Sequence, residues 1–251
     1  WKCYSTGKNP GKLGAFWWTK VSFKEKRLSF VTGADFKSKD YWDYISDAGQ
    51  YTVQINMPMS YPPPKEWNGV FISGVPALEN DEYTYPRELK QDLLDRMNYR
   101  ITLETAFEVS AEKAIRSVSE LIDLRFDVAE EHVERADFLQ VSIFFIDDAQ
   151  HFLWRQMKEG KGPHKDAIED LWRQIDTRMG RLLDMAGDDV HVVIFSDHGF
   201  TALKGALYIN EWLGPDLVSK KPVVKMGRKS GAERLMLLLD RLHLTKIVRR
   251  F

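Results

Sequence analysis

Two aspartate–histidine pairs are the residues of this sequence whose types and spacing could do chemistry. Asp147 and His151 stand four apart in Ile146-Asp147-Asp148-Ala149-Gln150-His151, and Asp197 and His198 are adjacent in Ser196-Asp197-His198-Gly199. A carboxylate and an imidazole are a common ligand pair for zinc and suit other divalent transition metals. If the chain turns helical after Asp147, residues four apart project from one side and can reach one ion. Adjacent residues cannot share a helix face, so the second pair needs a strand end entering a loop, where Gly199 permits a sharp turn. The competing interpretation is that Asp147 and Asp197 cap helices and that both histidines are ordinary polar residues. Asp148 is expected as a solvated neighbour or a cap, not a ligand.

Each pair follows an apolar run: Phe138-Leu139-Gln140-Val141-Ser142-Ile143-Phe144-Phe145 before the first, His191-Val192-Val193-Ile194 before the second. Such runs read as buried parallel strands. Open α/β sheets collect ligand groups at the carboxyl ends of their strands. The two pairs are therefore expected to be halves of one metal site, converging on a pocket a few ångströms wide.

Other candidate motifs carry less. Gly7-Lys8-Asn9-Pro10-Gly11-Lys12-Leu13-Gly14 resembles a phosphate loop, but only three residues separate Gly7 from Gly11-Lys12, and Leu13 stands where Ser or Thr is required. It reads as a tight turn joining two elements. His132, His164 and His191 have no partner pattern and are expected at the surface or satisfied in the core. Trp17-Trp18 reads as packing, with a pocket wall as the alternative.

The elements that must position the pairs follow from periodicity and punctuation. Residues 28–31, 51–55, 70–72, 138–146 and 191–195 are expected as strands. Helices are expected over 41–45, capped by Asp35 or Ser38 and stopped by Gly49, and over 87–97, 111–132, 151–157, 164–185 and 231–250. In the longest, Ile115, Val118, Leu121, Ile122 and Leu124 form the apolar stripe. Tyr208-Ile209 and Trp212 would extend the packed part. Strands alternating with helices predict an α/β fold, a three-layer sandwich with a mostly parallel sheet covered on both faces. The 251 residues, 43% hydrophobic, suffice for one large domain. A cap inserted at about 57–110 is a possible interruption.

The net charge of −1 points to neither nucleic acid nor a membrane surface. Residues 219–251 are locally basic, with ten Lys or Arg against Glu233 and Asp240. That end reads as a solvated face; the alternative is docking on anions or an acidic membrane. Cys3 is the single cysteine, so no disulfide can form within the chain, which favours a reducing, cytoplasmic setting. No apolar run is long enough for a transmembrane segment.

Ser196-Asp197-His198-Gly199, Asp147-x-x-x-His151 and Thr6-Gly7-x-x-Pro10-x-x-x-Gly14, in this order, resemble the alkaline phosphatase superfamily, and within it the type I phosphodiesterase/nucleotide pyrophosphatase branch. Gln150-His151-Phe152-Leu153-Trp154 and Leu207-Tyr208-Ile209-Asn210-Glu211-Trp212-Leu213 strengthen the likeness, which spans most of the chain and is looser over 57–135. The resemblance implies two divalent ions, zinc first and manganese as the alternative, with Asp147 and His151 on one and Asp197 and His198 on the other. It implies hydrolysis of a small-molecule phosphate mono- or diester through a phospho-Thr or phospho-Ser intermediate. No nucleic acid partner is implied. By the family spacing the nucleophile falls ahead of Trp1. No catalytic nucleophile is therefore assigned within residues 1–251, which are expected to be an incomplete, inactive interior part. Leu13 stands where the family has a histidine, Trp18 where the nucleotide pyrophosphatases have a phosphate-contacting asparagine, and His243 is not expected to be the family's last ligand. A nucleotide substrate is thus not expected. The alternatives are a sulfatase or phosphomutase on the same scaffold, or a non-catalytic module that binds anions or membranes through its basic end.

Overall fold

The structure is a computed structural model that describes residues 1–22 and 24–207. In chain order it contains two short helices, α1 (Lys2–Thr6) and α2 (Pro10–Leu13); a hairpin of β1 (Thr19–Ser22) and β2 (Arg27–Phe30); helix α3 (Tyr41–Asp47); and strands β3 (Thr52–Met57), β4 (Gly69–Ser73) and β5 (Thr84–Tyr85). Helices α4 (Leu89–Met97) and α5 (Ala111–His132), strand β6 (Phe138–Val141), and helices α6 (Ile146–Glu159) and α7 (Ala167–Ala186) follow. The chain divides into two compact units, Trp1–Phe16 with Thr32–Lys204, and Trp17–Val31 with Gly205–Phe251. In the second unit β1 and β2 pair antiparallel, with Thr19 opposite Phe30. Tyr208-Ile209, Trp212, the basic stretch 219–251 with its expected helix, and His243 lie outside the described residues. Among the described residues no helix is long and apolar enough to cross a membrane.

The first unit is built on a four-stranded sheet of order β5-β4-β3-β6. β3 runs parallel to both β4 and β6, and β4 pairs antiparallel with β5. The sheet is mixed, mostly parallel, with helices on both sides, as the alternation of runs predicts. Strand parity explains the two layers. Val53 and Ile55 of β3, with Val70 and Ile72 of β4, belong to the large core filled by Val118, Leu121 and Ile122 of α5, Leu153 of α6 and Ile175 of α7. Phe71 points the other way, into a smaller cluster with Trp42 of α3 and Trp67. Tyr83, Tyr99, Ile101 and Phe107, from the stretch between β4 and α5, join the large core.

One residue breaks the parity of β3. Ile55 lies opposite Ile72, yet Met57, not Asn56, lies opposite Ser73. This is a bulge, two residues against one. Asn56 takes φ +54°, a left-handed conformation that asparagine tolerates better than most residues. Its Nδ2 donates to the Ser73 carbonyl at 2.9 Å, and the buried Tyr99 hydroxyl donates to its Oδ1. The extra residue sends Met57 to the smaller cluster instead of the larger one. Gly74 crosses so close to the bulge that an added Cβ would overlap the Asn56 and Met57 carbonyls.

Helices α5 and α7 cover the larger core and run parallel. Ser119 bonds Gln174, while Asp123, Asp127 and Glu130 bond Arg178. The order of partners rises along both helices, which fixes their direction. Ser110 caps α5, its hydroxyl accepting from the Lys113 amide. A 3₁₀ turn, Val133–Arg135, leads from α5 into β6 and also packs against α7.

Three local expectations are corrected. The helix at 41–47 is capped by Asp40, not Asp35 or Ser38: Asp40 and Asp43 form a capping box, and Asp35 instead accepts from the Thr32 amide at 2.9 Å. The strand expected over 138–146 ends at Val141, and α6 starts at Ile146, ahead of the expected 151. Asp147 and Asp148 in its first turn complement the positive end of the helix dipole, which favours that earlier start. The run 191–195 forms no strand. It is irregular, with Val193 and Ile194 79% and 72% exposed. Apolar, β-branched composition favours extended backbone, but a strand persists only when a neighbour takes its amides and carbonyls. No described residue pairs with it.

Candidate functional site

Asp147 enters from the sheet side. β6 ends at Val141, three residues turn, and Phe145 stands at the N-cap of α6, which begins at Ile146. Asp147 thus sits in the first helical turn just beyond the carboxyl end of a parallel strand, where the helix dipole favours an anion. One turn on, His151 Nε2 lies 3.2 Å from Asp147 Oδ2, the i to i+4 geometry that the spacing predicts. Asp148, its neighbour, is half-buried, and burial followed by the Asp147 charge raises its pKa above the ordinary carboxylate value.

The second pair comes to the first. His198 Nε2 lies 3.8 Å from Asp147 Oδ1 and 3.8 Å from Asp197 Oδ2. Aromatic rings hold the approach: Phe195 lies 4.1 Å from Tyr4, centroid to centroid, and Phe200 packs 5.0 Å from both His151 and Trp154. The structure therefore brings the four predicted residues together: His151 and His198 lie within 4 Å of the Asp147 carboxylate, and Asp197 within 4 Å of His198.

The protonation of His198 follows from its contacts. Its Nδ1 is 3.0 Å from the Gly199 carbonyl, which can only accept, so Nδ1 carries the hydrogen. In the neutral ring the lone pair is then on Nε2, aimed between two carboxylates. The Asp147 Oδ1 it faces is buried and has no hydrogen-bond partner. A lone pair against an unpaired carboxylate oxygen is repulsive, and either a proton on Nε2 or a cation between the two relieves it. Accordingly the Gly199 carbonyl, then the Asp197 carboxylate, raise the His198 pKa above its ordinary value.

These residues fit a divalent cation in type and tautomer. Metal-ligating histidines commonly donate their other N–H to a carbonyl, as His198 does. Two ligands each about 2 Å from a tetrahedral zinc stand about 3.3 Å apart, close to the observed 3.8 Å. The contacts are pairwise, however. Among the described residues no group of three or more His, Cys, Asp or Glu is arranged to hold an ion. Nearby hydroxyls serve the fold: Ser5 donates to Asp40 at 2.5 Å, Thr6 to the Lys2 carbonyl at 2.5 Å, and Ser196 to the His198 carbonyl at 2.6 Å. Sequence reasoning missed the role of Gly199, whose carbonyl sets the His198 tautomer, and that of Phe200, which backs His151. An aromatic beside the acid–histidine motif was the available signal for the latter.

A family model described as Type I phosphodiesterase / nucleotide pyrophosphatase matches residues 1–241. No curated protein and no solved structure matches the chain.

Proposed function

Because the chain belongs to the type I phosphodiesterase / nucleotide pyrophosphatase family of the alkaline phosphatase superfamily, we propose that it is the metal-binding part of a phosphohydrolase acting on small phosphate mono- or diesters. The observation that carries this reading is His198 Nε2 facing the unpartnered Asp147 Oδ1 across 3.8 Å. Asp147 and His151 would hold one divalent cation, zinc by ligand type, and Asp197 and His198 a second. Such cations, when bound, neutralise phosphoryl oxygens and activate a hydroxyl or water. The protein's own work is positional. The α6 dipole supports the Asp147 charge. The Gly199 carbonyl keeps the His198 lone pair on Nε2. Phe200 shields one side of His151 and limits its rotation.

Calorimetric zinc titration tests the reading, run beside a panel of phosphomonoester and phosphodiester substrates with zinc added. We expect zinc binding in the wild type and its loss in Asp147→Ala and His198→Ala. Unchanged stoichiometry in both variants, or no binding in the wild type, defeats the proposal. Hydrolysis that persists in full after chelation defeats the metal-dependent part of it.

A further inference from the structure

Lys2 is a buried cation with donors to spare. It is only 7% exposed, and its ammonium lies 2.5 Å from Asp40 Oδ2, its one hydrogen-bond acceptor among the described residues. An ammonium carries three N–H donors. Two aromatic rings stand near the same cation, Phe36 with its centroid at 5.3 Å and Trp42 at 5.9 Å. Such rings attract the charge but leave donors unused. A buried ammonium is costly unless its remaining N–H groups find acceptors.

The open side of Lys2 is a cavity of about 360 Å³ that it helps to line, a volume in the range of small-ligand sites. Phe36, Trp42, Phe71, Pro62 and Pro64 give this cavity apolar, mostly flat walls. Trp42 and Phe71 belong to the smaller core cluster, so that part of the wall is fixed by packing. No residue of the acid–histidine site lines it.

Charge narrows what the cavity can take. Lys37 and Lys39 line it and are exposed, and Lys8 reaches the lining residue Ser38 at 2.8 Å. Lys39 pairs with Asp47, and Asp43, also in the lining, accepts from the Asp40 amide at 2.7 Å. Four ammonium groups, Lys2, Lys8, Lys37 and Lys39, therefore stand against three carboxylates, Asp40, Asp43 and Asp47, a net of +1. The excess lies with Lys8 and Lys37, neither of which has a carboxylate partner among the described residues. A flat monoanion matches all of this: oxygens for the unused Lys2 donors, a ring for the walls, one negative charge for the excess.

We propose that this cavity binds a small aromatic carboxylate, with its oxygens at the Lys2 ammonium and its ring against Phe36, Trp42 and Phe71. The site stands apart from the proposed phosphohydrolase function and does not depend on it.

Benzoate is the probe, titrated into the 251-residue chain and followed by calorimetry and by NMR of the tryptophan indoles. We expect saturation of one site with a Kd of about 1 mM or tighter. Acetate lacks the ring and benzyl alcohol lacks the charge, so each should bind at least about tenfold more weakly. Lys2→Met should remove binding. Because that change strands Asp40 in a buried place, two milder variants carry the test should it fail to fold. Lys37→Glu reverses the unpaired charge and Phe36→Ala removes a wall while the ion pair stays; each should weaken benzoate by about tenfold or more. Asp147→Ala should leave benzoate binding unchanged. No saturation, acetate binding as tightly as benzoate, indifference to both milder variants, or loss of binding in Asp147→Ala overturns the proposal. Phenylphosphonate binding more tightly than benzoate overturns the choice of a carboxylate. Benzoate bound by a protein that takes up no zinc upholds this site and defeats only the phosphohydrolase reading.

Discussion

Asn56 shows how much one side chain can hold. It bears a left-handed backbone, accepts from Tyr99 and donates to Ser73, all inside the core. Asn56→Ala forfeits two buried hydrogen bonds at about 1 kcal/mol each and adds about 1–2 kcal/mol for a left-handed alanine. Urea denaturation should therefore show a loss of about 3–4 kcal/mol, and Asn56→Gly should recover the backbone share. Beside it, burial pushes the Tyr99 phenol up to about 12, with the Arg125 guanidinium 5.0 Å over its ring. His132 gives a pH prediction. Its ring faces Tyr51, with the charges of Glu131, Arg135 and Arg96 nearby, and burial lowers its pKa below the ordinary value. The folded state thus prefers the neutral ring, and the stability linked to it is present above about pH 6.5 and lost as pH falls through the folded value. In His132→Asn, unfolding measured from about pH 7 down to 5 should lose that part of the slope; an unchanged slope would contradict it.

Elements differ in how far local residues announce them. Helix α5 was legible from end to end, because its capping serine, its period and its apolar stripe all lie within the helix. Asp147 and His151 were legible for the same reason, four residues on one turn. The bulge at Asn56 was not, since only the register against β4 reveals it. The run 191–195 was misread because composition speaks for extended backbone, while a strand also needs a partner that composition cannot name. The convergence of Asp197 and His198 on Asp147 was expected because each pair follows an apolar run, at the carboxyl end of an expected strand; the pairs do meet, although the second of those strands is not formed. The pairing of α5 with α7 was invisible. There Arg178 reaches Asp123, Asp127 and Glu130, and Glu130 is only 8% exposed at its side chain. Arg178→Met should cost about 2–3 kcal/mol. That is less than the 3–5 kcal/mol of a fully buried broken pair, because Asp123 and Asp127 are half-exposed and Arg181 still reaches Glu130. Chemical denaturation measures it, and a double substitution with Glu130→Gln should be less than additive.

At the scale of the molecule, cation binding and folding should be linked. If the four acid–histidine residues bind zinc only when the chain is folded, zinc at about 100 times its Kd adds about 2.7 kcal/mol of stability. A rise in Tm that disappears in Asp147→Ala is the expected result; equal rises in both proteins would separate the stabilisation from these residues. A last consequence concerns synthesis. β3 is the inner strand on which the sheet is assembled, and one of its two neighbours, β6, lies more than eighty residues downstream: the Tyr51 amide at the head of β3 bonds the Asp137 carboxylate, 86 positions away. While the ribosome is still extending α5, Val53 and Ile55 have no roof and one naked flank. A nascent chain halted before residue 136 should therefore be a strong client for holdase chaperones, and release from them should coincide with the emergence of Phe138.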